Sequence, residues 1–514
     1  MNTEESKSFI SNIDVQTAPV NVGNSTYEEA IPDGYLNITI GVFIDGTLNN
    51  AENTKARQAY EKEGSKSNYE KKQSEIYKNL KRNNSKDDLV SYSNDLSNVA
   101  IMETAYKEII SGNELQSKIY TQGMGSTKHT LDDSDGTGLA EGPSGIKARV
   151  EEACEQIVVE IRRLLKNNDI KKISVLRIDV FGFSRGAAAA RHFMYEATRP
   201  IRESNKGRAI KTYYGKLGEF FIKYEIDQPI LLQFRFAGLF DTVASYGKEH
   251  NLDTFQLDLD AVKKAKHTFH LVAQDEHREN FVITNIKSTG ASGVEKYIPG
   301  VHSDIGGGYT DNYKEDYLVI REGYSSEAKE NGSNAVTSNR LRDFLIRDSW
   351  YRPSEIYVNE YSLKKDTNQH IDPYYAVIIN RTIKSKRYSY ISLHLMVQYG
   401  VKKSIPLDYT FIKDKYTLDE EISVVLPNKT VYTTNLKDIK KRLYKYVFYG
   451  AAPMKFDNPD DENMIRAIRA NCMHTSAHYS GKIDLVDKWG IHYWYAPHNP
   501  RESYFTRKRE ENNG

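Results

Sequence analysis

The sequence predicts an α/β protein with a mostly parallel sheet flanked by helices. Apolar runs of strand length recur between residues 35 and 301, and a long helical pattern precedes one of them. That strand then passes through Gly-x-Ser-x-Gly into an alanine-rich segment. Strand, helix, strand and helix in succession are what right-handed parallel crossovers require.

Residues 1–34 are polar and weakly periodic, and are expected to form a loose lead-in. "YLNITIGVFIDGTLNN" (35–50) is β-branched and aromatic before it reaches Asp45-Gly46-Thr47, so it predicts a buried strand feeding a tight loop. Residues 51–95 are rich in Lys, Asn, Ser and Glu and predict a charged surface insertion with helical stretches. "LQSKIYTQGMGST" (115–127) predicts a second strand, followed by the polar loop "LDDSDGTGLAEGPSG". From Ile146 onward, Val150, Cys154, Ile157, Ile161 and Leu164/Leu165 recur every three to four residues, which predicts an amphipathic helix. "PILLQFRFAGLF" (229–240) and "VEKYIPGV" (294–301) predict later strands, while "TFHLVAQDEHRENF" is expected to be helical. The catalytic unit is expected to span 35–345. After that, short runs such as "YYAVIIN" and "YISLHLMVQYGV" predict an appended mixed C-terminal region over 346–514.

Composition limits the function. With 514 residues, 39% hydrophobic and 27% charged, the chain can bury a large core under a polar surface. Lys and Arg total 71 against 70 for Asp and Glu, so the net charge of +1 supplies no global field for nucleic acid. Cys154 and Cys472 are far apart and in no metal-ligand spacing, so neither a disulfide framework nor a zinc site is expected. The opening "MNTEESKSFISNIDVQ" has no basic start before an apolar core, and no run of about 18 apolar residues occurs. A protein made in the cytoplasm, exported by a route that needs no cleavable signal, is the expectation.

The chemistry centres on "VLRIDVFGFSRGAAAAR" (175–191). A serine hydroxyl becomes a useful nucleophile only with an adjacent base and an exposed geometry, and a sharp strand-to-helix turn supplies the geometry. Gly182 and Gly186 leave room for that turn around Ser184, and the Arg185 amide opens the helix where an oxyanion would form. An acid and then a histidine should follow on loops after later strands. Asp241 directly follows the run "LLQFRFAGLF", and His302 follows the next strand in "YIPGVHSDIGGGY". Gly46 and Thr47 can offer the second oxyanion amide, next to Asp45. Asp304 is the rival acid, with shaping the glycine loop as its expected role. His474 and His478 are the runners-up for the base, while His192, His270 and His277 are expected to be structural. The bland readings are a turn serine at 184, a helix cap at Asp241 and a plain turn at Asp45-Gly46. The carboxylates of "LDDSDGTG" depart from the spacing of an EF-hand loop, so no metal and no cofactor is expected.

"FIDGTLNN", "GFSRGAAAAR", "GLFDTVASYG" and "PGVHSDIGGGY", in this order over residues 36–345, resemble the α/β-hydrolase-like lipase effectors of bacterial type VI secretion. Specifically they resemble the first class, the phospholipases with GxSxG, and "HLVAQDEHRENF" also looks typical of it. The resemblance implies Ser184 as nucleophile, Asp241 as acid and His302 as base. It implies a phospholipase A-type toxin acting on membrane glycerophospholipids of a rival bacterium, in its periplasm or at its membrane. It further implies delivery by a tube or spike component and neutralisation in the producer by a cognate immunity protein, with the C-terminal region touching the membrane through stretches such as "ISLHLMVQYGV". Two alternatives stand beside it: a serine esterase of another substrate class, and a catalytically silent binding module on the same fold.

Overall fold

The structure is a computed structural model that describes residues 31–166, 168–199, 201–205, 208–212, 214–246, 256–323, 333–361, 374–478, 509 and 511–514. The lead-in expected over 1–34 therefore lies, except for its last four residues, outside the described residues. A six-stranded sheet forms the centre. Its strands are β1 (Tyr35–Ile44), β2 (Glu114–Thr121), β3 (Lys172–Phe183), β4 (Leu231–Phe240), β5 (His267–Ala273) and β6 (Gly293–Ile298). The spatial order is β2-β1-β3-β4-β5-β6, and every pairing is parallel.

Side chains alternate between the two faces with the period of two that a strand imposes. On β1, Leu36, Ile38, Ile40, Val42 and Ile44 enter one apolar layer, while Phe43 enters the other. The first face is covered by α1 (Ile146–Lys166) and α2 (Arg185–Glu196), whose buried residues include Val150, Cys154, Ile157, Ile161 and Ala187 to Ala190. The second face is aromatic, with Phe43, Phe181, Phe236, Phe240 and Phe269 all fully buried. Burying each large apolar side chain contributes about 1.5–3 kcal/mol, so neither face of the sheet can be left bare.

The cover on the second face corrects one expectation. "ISLHLMVQYGV", a candidate for membrane contact, lies within α3 (Ser389–Lys402), and Ile391, Leu393, Leu395, Met396 and Val397 are all buried against the sheet side. Tyr399 stacks on Phe269 with ring centroids 4.1 Å apart. The helix is apolar because it supplies the sheet's second layer. Likewise, helix Leu436–Tyr449 sends Leu436, Ile439 and Leu443 into that layer, and helix Pro459–Asn471 sends Ile465 and Ile468. Strands Tyr374–Ile383 and Ile356–Tyr361 of the C-terminal region join Tyr313–Gly323, from before residue 345, in a three-stranded antiparallel sheet, and the region also holds a hairpin of Glu421–Val425 with Val431–Asn435.

One smaller difference has a simple cause, and the insertion is helical as expected. The segment expected to be helical, "TFHLVAQDEHRENF", begins as β5, because its apolar and His/Thr positions alternate across an interior strand and are buried on both faces. The charged insertion 51–95 folds as helices Ala51–Glu61 and Asn68–Asn83, the second opened by a Ser67/Glu70 capping box. Tyr77 and Tyr92 close with Ala56 and Leu89 into a small core of their own. Among the described residues, no helix is long and apolar enough to cross a membrane.

Because much of the layer beneath the sheet comes from residues beyond 345, beside Val99, Ile101 and Met102 of helix Asn98–Ala105, Leu395→Ala is expected to lower the stability of the whole molecule. A loss of about 2–5 kcal/mol should appear as one shifted denaturant transition. An N-terminal transition left unmoved would show that the two parts fold independently.

Candidate active site

The topology fixes where a site can form. The chain runs from β1 outward to β2 and then returns to place β3 on the other side of β1, so the direction of winding reverses between β1 and β3. In parallel sheets that reversal leaves a crevice at the carboxyl ends of the strands. Asp45-Gly46 leaves β1 there, and Ser184 leaves β3 beside it, with Ile44 paired to Gly182.

Ser184 sits between the last residue of β3 and the first of α2 at φ 59°, ψ −129°, a backbone state that L-residues rarely adopt. The flanking glycines make the turn sterically feasible. A Cβ at Gly186 would lie 2.2 Å from the Asp45 carbonyl oxygen, and one at Gly182 would lie 2.5 Å from the Gly186 carbonyl. The Ser184 N–H donates to the Phe240 carbonyl at 3.0 Å, and its carbonyl accepts from the Val243 N–H at 3.3 Å. The elbow is thus tied to the chain on both sides of Asp241.

Asp241 ends β4 at φ 45° and is fully buried. Its Oδ1 accepts the Ala273 N–H at 2.8 Å, and its Oδ2 accepts from Nδ1 of His302 at 2.5 Å. Arg509 adds a two-pronged contact, Nη1 to Oδ1 at 2.6 Å and Nη2 to Oδ2 at 3.0 Å. Burial acts to raise the Asp241 pKa, but Arg509 and His302 outweigh it and hold the carboxyl well below the usual carboxylate range.

His302 opens the short helix His302–Gly306, and its ring lies between Phe183, centroids 4.6 Å apart, and the edge-on Phe281 at 4.9 Å. Burial lowers its pKa, against the pull of Asp241, so the imidazole stands neutral at pH 7. With Nδ1–H committed to Asp241, Nε2 is the nitrogen left to accept a proton. The His302 backbone N–H donates to Glu276 Oε2 at 3.1 Å. Glu276 is fully buried and also accepts from Arg278 Nε at 3.0 Å and the Ser476 hydroxyl at 3.0 Å. Burial works against its charge, yet Arg278 holds it well below the usual range.

The oxyanion candidates separate. Gly46 adjoins the elbow, since a Cβ there would lie 2.7 Å from the Phe183 ring, but its N–H is engaged by Asp45 Oδ1 at 2.8 Å. Among the described residues, the Thr47 hydroxyl is buried with no hydrogen-bond partner. Arg185 is the first residue of α2, where helix amides point out of the N-terminal end. Asp45 also accepts from the Tyr120 hydroxyl at 2.7 Å, and burial pushes its carboxyl up to about 6 despite its hydrogen bonds.

The other candidates have structural partners. Asp304 accepts the Val301 N–H at 3.0 Å and Nδ1 of His474 at 2.6 Å, so it shapes the His302 loop and fixes His474, whose ring stacks on Tyr309. His478 stacks on Tyr317, His192 bonds the Leu257 carbonyl at 2.8 Å, and His270 joins Glu295 at 2.9 Å. Asp133 accepts from Ser144 at 2.5 Å. Among the described residues, no cluster of three His, Cys, Asp or Glu side chains could hold a metal ion. Sequence reasoning missed Glu276 and Arg509. The first lies in the noticed "HLVAQDEHRENF", whose strand ends before it; the second carries no local signal at all.

Residues 193–329 match the family model described as T6SS, phospholipase effector Tle1-like, catalytic domain. The chain carries a Tle1-like segment. That segment begins after the elbow and contains Asp241 and His302. The whole fold is similar to that of the Tle1 effector bound to the VgrG spike from the type 6 secretion system. The identity is 22%, the match covers 96% of this chain and 97% of that one, and the TM-score is 0.56. An uncharacterized protein from Pseudomonas aeruginosa matches at 17% identity over 82% of this chain and 51% of that one, with a TM-score of 0.38. A bifunctional GH43-CE protein of Bacteroides eggerthii matches at 11% identity over 53% of this chain and 32% of that one, with a TM-score of 0.21. No curated protein matches the sequence.

Glu276→Gln leaves the half-buried Arg278 without its carboxylate partner and is expected to cost about 1–3 kcal/mol at pH 7. The folded pKa of Glu276 is depressed, so its contribution is complete above the ordinary glutamate value of 4.5 and fades as pH falls below it. Denaturant midpoints of the two proteins should therefore converge in acid. A gap that stays constant down to pH 3 would contradict the assignment.

Proposed function

We propose that the chain is an antibacterial phospholipase A-type effector that hydrolyses acyl ester bonds of glycerophospholipids, with Ser184 as nucleophile, His302 as general base and Asp241 as its acid. The reading is carried by the 2.5 Å bond from His302 to a buried, ionised Asp241, next to a serine at φ 59° on the carboxyl edge of the sheet. That both partners fall inside the Tle1-like segment supports it.

The neutral imidazole takes the Ser184 proton as Oγ attacks the ester carbonyl carbon. The carbonyl oxygen gains the negative charge, opposite the Arg185 amide and the Thr47 amide of the Asp45 loop. Collapse expels the lysophospholipid alkoxide, which takes the proton from His302 and leaves an acyl-serine. A water then attacks that ester, again giving its proton to His302, and the fatty acid leaves as Ser184 regains its hydrogen. Asp241 keeps its charge throughout, steadying the imidazolium each time it forms. Phe183 and Phe281 flank the base and give the reacting ester apolar surroundings.

Because the similar Tle1 effector is bound to a VgrG spike, a type VI spike or tube component is the carrier we propose. A cognate immunity protein in the producer's own cell envelope goes with that route, and the site of action is the periplasm or membrane of the target cell.

Purified wild-type protein with defined phospholipids should release lysolipid and fatty acid, read by mass spectrometry. Ser184→Ala should release neither and lose labelling by a fluorophosphonate, while Asp241→Asn should retain the fold and lose on the order of 10⁴ in kcat. Undiminished lipolysis by Ser184→Ala would refute the reading.

A further inference from the structure

Arg509 reaches the acid of the site from the far end of the sequence. Its side chain is 7% exposed, and it spends every guanidinium nitrogen nearby. Two donate to the Asp241 carboxylate. Nη1 also reaches the Ala273 carbonyl at 3.1 Å, and Nε and Nη2 reach the Phe281 carbonyl at 3.0 and 2.9 Å. Phe281 is the residue whose ring meets His302 edge-on.

The residues that follow hold this arginine in register. Glu511–Asn512 pair in parallel with Ile283–Thr284, and the Thr284 N–H donates in turn to the Thr242 carbonyl at 3.0 Å. Glu511 accepts from the Tyr297 hydroxyl at 2.6 Å, and Asn513 accepts from Asn285 Nδ2 at 3.1 Å. The segment thus docks as an outer strand beside the loop that carries the acid.

Charge balance gives the contact a function. To act as a base, His302 must be neutral in the resting site, yet Asp241 must stay ionised with no exposure to water. A buried carboxylate facing only a neutral imidazole is uncompensated, and the simplest remedy is to protonate that imidazole. The other charges around His302 do not relieve it. Glu276 and Arg278 neutralise each other, and Asp304 is engaged by His474. Ser184, Phe183 and Phe281 are uncharged.

We propose that Arg509 is a positioning residue of the acyl-transfer site, whose fixed positive charge keeps Asp241 ionised and in line with the ring while His302 remains free to accept a proton. The inference rests on the Ser184–His302–Asp241 reading. It makes the reaction depend on residues 509–514, outside the Tle1-like segment.

The test is the second-order rate of fluorophosphonate labelling of the full chain against pH. In that step the Ser184 oxygen bonds phosphorus, fluoride leaves and His302 takes the proton, so the acid limb of the profile reports the base. Arg509→Met and Arg509→Gln are expected to move the acid limb upward by about one pH unit, giving labelling slower by up to about tenfold at the acid end of the limb and a much smaller loss near pH 9. Arg509→Lys, which keeps the charge, should restore the limb. Circular dichroism reports folding, and Gln, which can keep one carbonyl contact, serves if Met unfolds the segment. An unmoved acid limb in either neutral variant overturns the proposal, as does a loss equal at all pH values that Lys fails to restore. Ser184→Ala separates the two ideas. If it still labels, the triad reading itself falls; if it is inert while the Arg509 variants show no shift, only the role of Arg509 falls.

Discussion

Ser184 is presented at the carboxyl edge of the parallel sheet because the chain reverses from strand to helix around that single residue. That constraint governs the centre of this molecule. The turn forces Ser184 to positive φ and brings the Gly182 and Gly186 backbones against their neighbours, leaving no room for a methyl group at either. What makes it affordable is its anchorage, with Ser184 bonded through both its N–H and its carbonyl to the residues around Asp241. Local strain persists where the surroundings over-determine it. Here the same contacts that hold the strained residue also set its distance from the acid.

Burial of charge is the second organising demand. Asp241, Glu276 and Asp304 are each 2% exposed or less, and each has found a cationic or imidazole partner: Arg509 and His302, Arg278, and His474. Unpaired, such groups would be neutralised or would unfold their surroundings. The pairing explains why the neighbourhood of His302 draws on parts of the chain so remote in sequence. The imidazole itself is held by its ring, through Asp241, and by its backbone, through Glu276. Two independent carboxylates thus fix its tautomer and its position.

Much of this was readable in advance, for identifiable reasons. The strands and α1 are legible because periodicity survives wherever an element is buried on a fixed face, as at Ile146 to Leu165. Ser184 and Asp241 stand out because each directly follows a strand, and His302 because it lies in the loop after β6. The strand character of β5 is masked because Thr268 and His270, alternating with Phe269 and Leu271, look polar although they are fully enclosed. The engagement of the Gly46 amide by Asp45 was hidden because both residues fit a turn and an oxyanion loop equally well. Arg509 carries no sequence signal: one of two arginines in "TRKRE", it has no period or spacing that points to an acid at 241.

The residues beyond 345 show how function and stability merge in one architecture. A sheet with an aromatic second face needs a second layer of helices, and the segment between β1 and β6 spends its two longest helices from 146 onward on the first face. The chain must therefore return after the loops carrying Asp241 and His302 are made, and α3 completes the layer. On that return it passes close to His302, where Thr475 donates to Glu315, Ser476 to Glu276, and His474 to Asp304. Arg381 sits buried between Glu315 and the Met473 carbonyl, locking that passage. Packing demand brings the late segments to the sheet, and the unpaired carboxylates at its edge then select the polar residues they carry. A site loop fixed from below by core helices and from the side by buried ion pairs has little freedom to drift. That rigidity holds the strained Ser184 and the His302–Asp241 pair at one edge of the sheet.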